Sequence, residues 1–479
     1  MAPRLSSSTE HPQKTIAIAG ATGFIGSVLC KQLSKSFKVV ALSRSPSQKD
    51  TEHVVWRSCD LYSIDSCIEA LKNVDSVVYL VHSMMPSARL TQARFEDLDI
   101  ILADNFARAA HINGIKMAVY VGGLDPETAD TSIHLNSRME IEIVLGRWIE
   151  TVTALRAGLV IGKGGSSFNV LHKVVGRLPV ILCPSWTAAQ MQPIALSDIL
   201  ILIEAALKTP SSKSECHDIG GPDVMTYKML IKRTAQLMGL KRILIDIPFI
   251  PARLSSLGVG LITKTPQSLL FPLIQSLKHD MLAKNTAFQN RILETPKHFE
   301  TAFKEALNVS KSPPLTKPSI KDRAKKLRTV SAVRSIQRME LPKGKDAMWV
   351  AEEYLSWLPK AFKVLIRAER LNNGVCRMYL QGTSLLLLEL SLQSNLSTPE
   401  QAIYFISDGF LLRKEAPKQG IFEFRVVLNQ AYVMAAIHDF HPALPWFVYI
   451  VSQAQVHGLV MNLFAKHLKT VNANLIDGT

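Results

Sequence analysis

The run "TIAIAGATGFIGSVLC" at residues 15–30 constrains the fold of this chain more than any other feature. It joins a short apolar strand to a helix through three glycines. Glycine lets the backbone approach a pyrophosphate and lets the helix pack close to the strand, while the helix start offers free N–H groups. The run predicts a dinucleotide-binding loop, with a glycine-rich turn in another βαβ unit as the alternative. The residues of this predicted loop are Gly20, Thr22, Gly23, Phe24, Ile25 and Gly26.

The region from residue 15 to about residue 160 alternates short apolar runs with helical stretches. Buried-type strands joined by helices predict a parallel, doubly wound α/β sheet, the Rossmann architecture. A long helix is expected over residues 91–115, ended by Asn113-Gly114. Residues 161–308 are less regular and are expected to lie over the carboxyl end of the sheet, where a substrate would bind.

The residues that follow the strands indicate which dinucleotide would bind. Ser43 and Arg44 follow the second strand, where an NAD site usually presents an acidic residue, so NADP(H) is favoured over NAD(H). The alternative is that Arg44 only faces solvent. The remaining expected cofactor contacts are Asp60 and Leu61 at the adenine, Val81, His82 and Ser83 beneath the nicotinamide ribose, and Gly122 at the end of the fifth strand.

The length and composition of the chain limit the number of domains and the kinds of partner that are expected. A chain of 479 residues is too long for one ordinary domain, and a net charge of +15 favours anionic partners. Six scattered cysteines without CxxC spacing indicate reduced thiols, and no metal site is expected. Residues 1–14 lack the apolar core of a secretory signal and are expected to be disordered. The apolar stretch 253–277 is interrupted by Lys264 and two prolines, which favours buried or interfacial helices over a membrane span.

A basic segment separates two predicted domains. Residues 311–334 hold eight Lys or Arg against one acidic residue, together with three prolines. We expect a solvated linker at 309–332; the alternative is an electrostatic clamp that gives peripheral membrane contact. No aromatic residues interleave with these charges, so nucleic acid is not an expected partner.

Residues 333–472 predict a second, α+β domain, followed by a tail at 473–479. One strand, a helix, six further strands and a long final helix describe a curved sheet wrapped on a helix, a helix-grip arrangement. Such a sheet could enclose a hydrophobic small molecule or lipid, or its inward side chains could simply fill a core. The expected inward residues are Leu386, Leu388, Tyr404, Phe422, Phe424 and Met434. His438, Asp439 and His441 are interpreted as a polar loop rather than a metal site.

Together these motifs resemble the atypical and extended short-chain dehydrogenase/reductases over about residues 15–300. The resemblance rests on "GATGFIG", "SR", "DL", "NFARAAHINGIKMAVYVGGL", "LRAGLVIGKG", "PIALSDI" and "DIGGPDVMTYKMLI", in that order. The chain also resembles bacterial members with "HLxSR" in place of the YxxxK motif and a C-terminal polyketide-cyclase-like, or START-like, domain. The segments "GIFEFRVVL" and "AYVMAAIHDFHPALPWFVYIVSQAQVHGLV" carry that second resemblance.

The resemblance implies an acid that this chain lacks. Family reductases use a tyrosine, a lysine four residues later and a serine at a strand end, whereas this chain has His134, Arg138 and the pair Gly122-Gly123. His134 and Arg138 share one helix face and could replace the tyrosine and the lysine. Alternatively they are structural, with Ser132 as the helix cap and Arg138 paired with Glu142, or the site binds the cofactor without chemistry. Ser137 is a further catalytic candidate.

Two hypotheses follow for the whole chain. The first is an NADP(H)-dependent reductase of a hydrophobic carbonyl or enone. The second is a catalytically inactive NADP(H)-binding sensor or assembly protein whose tail binds lipid. Both place the chain in the cytoplasm, with the membrane periphery as the alternative location.

Overall fold

The computed structural model describes residues 13–46, 48–82, 90–126, 132–248, 250–308, 333–413 and 419–477. Ser83 and the basic segment at 309–332 lie outside the described residues. The chain divides into two compact units, the first comprising Met1–Met84 and Asp99–Pro314, the second Met85–Leu98 and Leu315–Thr479. The basic segment alone does not mark the boundary between the units, because residues 85–98 belong to the second unit.

The first unit is built on a seven-stranded parallel sheet with helices on its flanks. The strands lie in the order β3-β2-β1-β4-β6-β7-β12, so the order reverses between β1 and β4. This order is that of the doubly wound Rossmann fold, as predicted. The strands are β1 (Thr15–Ala19), β2 (Lys38–Ser43), β3 (Val54–Ser58), β4 (Ser76–Tyr79), β6 (Met117–Gly123), β7 (Thr151–Ala157) and β12 (Glu215–Ile219).

Apolar runs explain why these segments form the central sheet. Every residue of β4 is buried, as are four of the five in β1, because helices cover both faces of a parallel sheet. The helices of the first unit are α1 (Phe24–Leu33), α2 (Ile64–Ala70), α3 (Phe95–Ile112, which crosses the unit boundary), α4 (Ile133–Trp148), α5 (Ser166–Arg177), α6 (Leu196–Lys208), α7 (Tyr227–Leu237), α8 (Ala252–Thr263), α9 (Gln267–Ser276), α10 (Ala287–Ile292) and α11 (Phe299–Asn308).

Three two-stranded sheets complete the first unit: β8 (Val160–Ile161) with β11 (Ile194–Ala195), β9 (Val180–Pro184) with β14 (Ile243–Ile247), and β10 (Gln190–Met191) with β13 (Met225–Thr226). A 3-10 helix covers Ser185–Ala188. These elements occupy the region in which the sequence predicts loops and helices rather than a further layer of the main sheet.

The second unit is a mixed sheet packed against helices. Six antiparallel pairings link β16-β17-β18-β19-β20-β21-β15, and β5 adds to β15 in parallel. The elements are β5 (Leu90–Gln92), β15 (Val333–Glu340), α12 (Ala347–Ala361), β16 (Ile366–Arg370), β17 (Val375–Leu380), β18 (Leu386–Leu392), β19 (Gln401–Asp408), β20 (Gly420–Val427), β21 (Tyr432–Phe440), α13 (Trp446–Val451) and α14 (Gln453–Asp477). The order of strands and helices from residue 333 onward follows the sequence prediction.

The prediction of a helix from residue 91 is wrong at its start. Residues 91–92 belong to β5, and the helix begins at Phe95. Leu90 pairs with Val333, a residue far along the chain, so local sequence periodicity carries no signal for this strand.

The core of the second unit lies between one sheet face and the helices α12 and α14. Phe422 and Phe424 contact Tyr354 of α12, with ring centroids 5.4 and 5.5 Å apart. Tyr404 and Leu388 also pack here, whereas Leu386 is half-buried outside this cluster. Met434 corrects the expectation, because it pairs with Arg425 on the opposite face of the sheet.

The opposite face of this sheet carries a buried charge cluster. The carboxylate of Glu423, on β20, accepts hydrogen bonds from Gln401, from Arg425 at 2.9 and 3.0 Å and from His438 Nε2 at 2.8 Å. Burial alone would raise the pKa of Glu423, but Arg425 and the other donors outweigh it and hold that pKa well below its usual range. His438 lies within β21, not in a loop after it. The interpretation of His438 as part of a polar loop is therefore corrected.

Among the described residues, one helical stretch, Trp446–Leu475, is long and apolar enough to cross a membrane by length and composition alone. Core helices meet the same criterion, and Met461, Phe464 and Leu468 of this stretch lie in the core of the second unit.

Candidate functional site

The first part of the site is the glycine loop between β1 and α1. Gly20 has φ +87°, in the left-handed region that favours glycine. A Cβ atom at Gly26 would lie 2.3 Å from the carbonyl oxygen of Gly20, and one at Gly23 would lie 2.8 Å from the same oxygen. Side chains at these positions would therefore push the helix away from the strand. The loop has the close packing that a dinucleotide-binding turn requires.

The start of α1 is suited to a phosphate group. Gly23 is the N-cap, no side chain caps the helix, and its first turn holds no acidic residue. An uncapped helix N-terminus presents backbone N–H groups and the positive end of the helix dipole to an anion. The ring of Phe24 lies against Gly162 and Gly165, where added Cβ atoms would come within 2.9 and 3.0 Å of it. The residues present thus fit a bound pyrophosphate.

The ends of β2 and β3 carry the residues expected at the adenosine half of a cofactor. The Ser43 hydroxyl accepts from the Ser45 amide at 3.4 Å. Arg44 is exposed and makes no hydrogen bond or ion pair with any other described residue. After β3, the Asp60 carboxylate accepts from the Tyr62 amide at 3.3 Å. The adjacent Leu61 carbonyl accepts from Asn105 of α3 at 2.9 Å, which ties this turn to the helix.

A histidine pair lies at the carboxyl edge of the sheet. His82 follows β4 and the half-buried Val81, and its Nδ1 atom donates to the carboxylate of Asp99 at 2.6 Å. An ionised carboxylate only accepts, so this bond fixes the tautomer of the ring. The ring of His134 lies against His82, with centroids 5.0 Å apart. Residues from β4, α3 and α4 thus meet at one point.

Burial lowers the pKa of both histidines. For His134 burial is the largest cause, and the charges of Arg138 and His82 lower its pKa further, to well below the usual value of about 6.5. For His82 burial and Arg138 lower the pKa, while Asp99 partly opposes them. Both imidazoles are therefore neutral near pH 7, and a strongly perturbed pair in this position is typical of functional sites.

Arg138 lies one turn after His134 on α4 and does not pair with Glu142, contrary to one prediction. Its guanidinium donates to the carbonyl of Val121 at 3.4 Å. Glu142 instead binds Arg156 of β7 through a bidentate contact, with Nε–Oε1 at 3.0 Å and Nη2–Oε2 at 2.7 Å. The planar guanidinium of Arg156 and the planar carboxylate of Glu142 form two parallel hydrogen bonds, which is stronger than a single contact. Arg138 is left directed at the end of β6.

The resemblance implies a serine where β6 ends in Gly122-Gly123. At Gly123 an added Cβ atom would make only ordinary contacts, 3.5 Å from Arg138 and Leu135, whereas Gly122 has no space for one. A Cβ atom at Gly122 would lie 2.9 Å from the ring of Tyr120 and 3.1 Å from Glu142. Ser132 caps α4 by accepting from the Leu135 amide, as one reading proposed. Ser137 is fully buried within the same helix, and its hydroxyl has no hydrogen-bond partner among the described residues.

Sequence reasoning missed Asp99. It lies on α3, seventeen residues from His82, and is 1% exposed. The available signal was a carboxylate next to the apolar residues of the predicted long helix, a position where a buried charge is costly without a partner. The motif around His82 gave no indication of which acid would reach it.

Comparison with known proteins identifies the class of domain. Residues 20–146 match the model of a family described as NAD(P)H-binding. This match covers the glycine loop, the strand ends and the histidine pair. The first unit therefore contains a Rossmann-type domain that is similar to NAD(P)H-binding domains.

Curated relatives share part of the chain. The auxiliary protein GraX of Staphylococcus aureus is 27% identical over 33% of this chain and 57% of its own length. Subunit 9 of the mitochondrial NADH dehydrogenase (ubiquinone) 1 alpha subcomplex of Arabidopsis thaliana is 26% identical over 44% of this chain and 54% of its own. The chain thus spans little more than half the length of these two relatives.

Solved structures with a similar fold include enzymes. The triphenylmethane reductase of Citrobacter sp. in complex with NADP(H) is 16% identical, with a TM-score of 0.49, over 61% of this chain and 99% of that one. An NADPH-dependent quinone oxidoreductase from Escherichia coli is also 16% identical, with a TM-score of 0.47, over the same shares of each chain.

Proposed function

We propose that this protein is an NADP(H)-dependent reductase of a hydrophobic carbonyl or enone. The observation that carries the proposal is the contact of His134 with the Asp99–His82 pair at the carboxyl edge of the sheet. This is the edge at which a Rossmann domain holds its ligand. The two imidazoles are groups that can move a proton there.

Each part of the site has a role in this proposal. The first turn of α1 holds the pyrophosphate, and Arg44 holds the 2′-phosphate that distinguishes NADP(H) from NAD(H). A nicotinamide held there would supply the hydride that the carbonyl carbon of the substrate accepts. His134 in its protonated form gives the proton that the carbonyl oxygen then requires.

Arg138 and His82 tune that proton transfer. Burial is the main cause of the low pKa of His134, and the charges of Arg138 and His82 lower it further, so its protonated form is scarce at neutral pH but is a strong acid. Reduction should therefore accelerate as the pH falls below 7. Asp99 and His82 act as positioning residues, because they fix the orientation of the ring on which His134 packs.

Turnover with and without His134 tests the proposal. Purified protein is titrated with NADPH by fluorescence, then supplied with a panel of apolar ketones, enones and quinones while NADPH oxidation is followed. We expect His134→Ala to lower kcat by at least about 100-fold, with NADPH affinity changed by less than about twofold. The exposed His53→Ala is the matched control.

Two outcomes would reject this reading. Full activity in His134→Ala would remove His134 from the chemistry. NADPH binding by the wild-type protein without oxidation of any acceptor would reject the reductase itself.

The cofactor preference is tested separately at Arg44. Arg44→Gln removes a cation that no other described residue neutralises, so NADPH affinity should fall by about tenfold, the size of one charge-assisted hydrogen bond. NADH affinity should stay unchanged. Equal loss for both cofactors would show that Arg44 does not read the 2′-phosphate.

A second candidate function is supported by the two glycines that end β6 where the resemblance implies a serine, and by the names of two relatives. One is called an auxiliary protein and the other a subunit of the NADH dehydrogenase (ubiquinone) 1 alpha subcomplex. In this alternative the chain binds NADP(H) as a sensor or assembly protein. It predicts cofactor binding without oxidation in the same assay.

For the remaining regions we propose a cytoplasmic protein with peripheral membrane contact. The domain limits proposed are 15–308 and 333–472, joined by the basic linker. The strand order and the packing of α12 and α14 on one sheet face support a helix-grip, polyketide-cyclase-like second domain. Displacement of a fluorescent fatty acid from the protein would test whether this domain holds a hydrophobic molecule.

A further inference from the structure

Helix α8 has its polar side chains inside and its leucines outside. Ser256 and Thr263 are 1% and 0% exposed, whereas Leu254, Leu257 and Leu261 are 60%, 57% and 84% exposed. Residues three and seven apart share one face of a helix, so the leucines form a continuous apolar stripe. A helix of a water-facing surface normally shows the reverse pattern.

The hydroxyls of Ser256 and Thr263 are satisfied by carbonyls of the same helix. The Ser256 hydroxyl donates to the Arg253 carbonyl at 2.8 Å, and that of Thr263 donates to the Val259 carbonyl at 2.7 Å. The helix therefore accommodates these buried hydroxyls, and its exposed leucines play no part in the core.

A second apolar face precedes α8 in the chain. In the β9–β14 sheet, Val180 pairs with Ile243 and Leu182 pairs with Ile245, so the four side chains share one face. All four are exposed by 39% or more. The next helix along the chain after β14 is α8. Isolated exposed apolar side chains are ordinary, but four on one sheet face and three on the following helix indicate a contact surface.

The stretch of chain that contains α8 carries only positive charges. Residues 247–279 contain no Asp or Glu, and their cations include Arg253 and Lys264 at the two ends of the helix. Lys173 of α5 donates to the carbonyl of Thr263 at 3.2 Å, and Arg177 donates to that of Ile262. Leucines flanked by cations match the composition of helices that lie in the interface of an anionic bilayer.

We propose that α8, together with the exposed face of the β9–β14 sheet, docks the NAD(P)H-binding unit on an anionic lipid bilayer. The leucines enter the boundary between headgroups and acyl chains, and the cations contact lipid phosphates. The residues of this surface are not those of the basic linker, and the proposal does not depend on reductase activity.

Sedimentation of the full chain with vesicles tests this docking. We expect binding to vesicles of phosphatidylglycerol and phosphatidylcholine, and weaker binding to phosphatidylcholine alone. The variant L254S/L257S/L261S should lower partitioning by at least about tenfold, given the apolar area of three leucines. R253Q/K264Q should weaken binding to the anionic vesicles only.

Controls separate docking from general stickiness and from misfolding. F447S/V451S in α13 removes two side chains that are 74% exposed and should leave partitioning unchanged. NADPH affinity should also be unchanged in the leucine variant, which shows that the unit is folded. The proposal is overturned by absence of wild-type binding, by full binding of the leucine variant, or by a dimer that the leucine variant abolishes.

Discussion

Two buried clusters in this molecule each join a histidine to a carboxylate, yet their surroundings differ. In the first unit, His82 donates to Asp99 at 2.6 Å; in the second, His438 donates to Glu423 at 2.8 Å. Glu423 is also bound by a buried arginine and a glutamine. The neighbours of His82 include a second imidazole, His134.

The two clusters differ in the protonation state that their surroundings favour. Around Glu423 the donors favour the charged carboxylate, so its pKa is held low and one protonation state dominates. Around His134 burial and two neighbouring bases disfavour the charged form of the ring, and its pKa is lowered. A charged ligand that bound beside His134 would therefore readily change the protonation of this ring.

Glu423→Gln should have the largest effect on stability. It removes the carboxylate charge that binds Arg425 and His438 inside the sheet, which costs about 3–5 kcal/mol of the free energy of unfolding. Hydrogen exchange of peptides from β20 and β21 measures this loss in the second unit. Glu389→Gln, which breaks the more exposed pair with Arg377, is the control and should cost far less. Equal losses would contradict the structural role of the cluster.

Asp99→Asn should have an intermediate effect. It keeps a hydrogen-bond acceptor for His82 but removes the charge that raises the pKa of that ring. We expect a loss of about 1–3 kcal/mol and a further fall in the pKa of His82, measured by NMR titration of the imidazole. An unchanged pKa would mean that Asp99 does not control the protonation of the pair.

The pH dependence of stability should show the smallest effect. The folded pKa of His134 lies below the unfolded value of about 6.5, so the unfolded chain binds more protons as the pH falls below that value. Stability is complete above pH 6.5 and is lost below it, by at most about 1.4 kcal/mol per pH unit for one group.

His134→Gln should flatten this loss, as followed by hydrogen exchange of peptides from α4. His457→Gln is the matched change in the second unit, because burial lowers the pKa of His457 to about 4. It should flatten the acid response of the second unit alone. A loss of stability in the wild type as the pH rises would contradict the assignment.

Much of the fold follows from local patterns in the sequence. The apolar runs and the glycine loop predict β1, α1 and the parallel sheet, and the alternation after residue 333 predicts the antiparallel strands. The strand at Leu90–Gln92 could not be predicted, because its three residues are ordered by pairing with residues 333–335. Pairing over such a distance leaves no periodic signal.

The site was predictable in its cofactor half only. The N–H groups of the glycine loop belong to a motif with fixed spacing, whereas the histidine site is assembled across three elements. The i, i+4 spacing predicted a pair between Arg138 and Glu142, but Arg156 on the neighbouring strand offers Glu142 a bidentate contact. The periodicity of a helix gives no information about Arg156, because that residue lies on a different element.

The contact of Gly26 with the Gly20 carbonyl has a consequence for how such chains diverge. A Cβ atom there would meet a carbonyl oxygen at 2.3 Å, whether or not a nucleotide is bound. A descendant that abandoned its coenzyme would still need this glycine to seat α1 against β1. The glycine loop would then be retained after cofactor binding was lost, because the packing of α1 alone requires it.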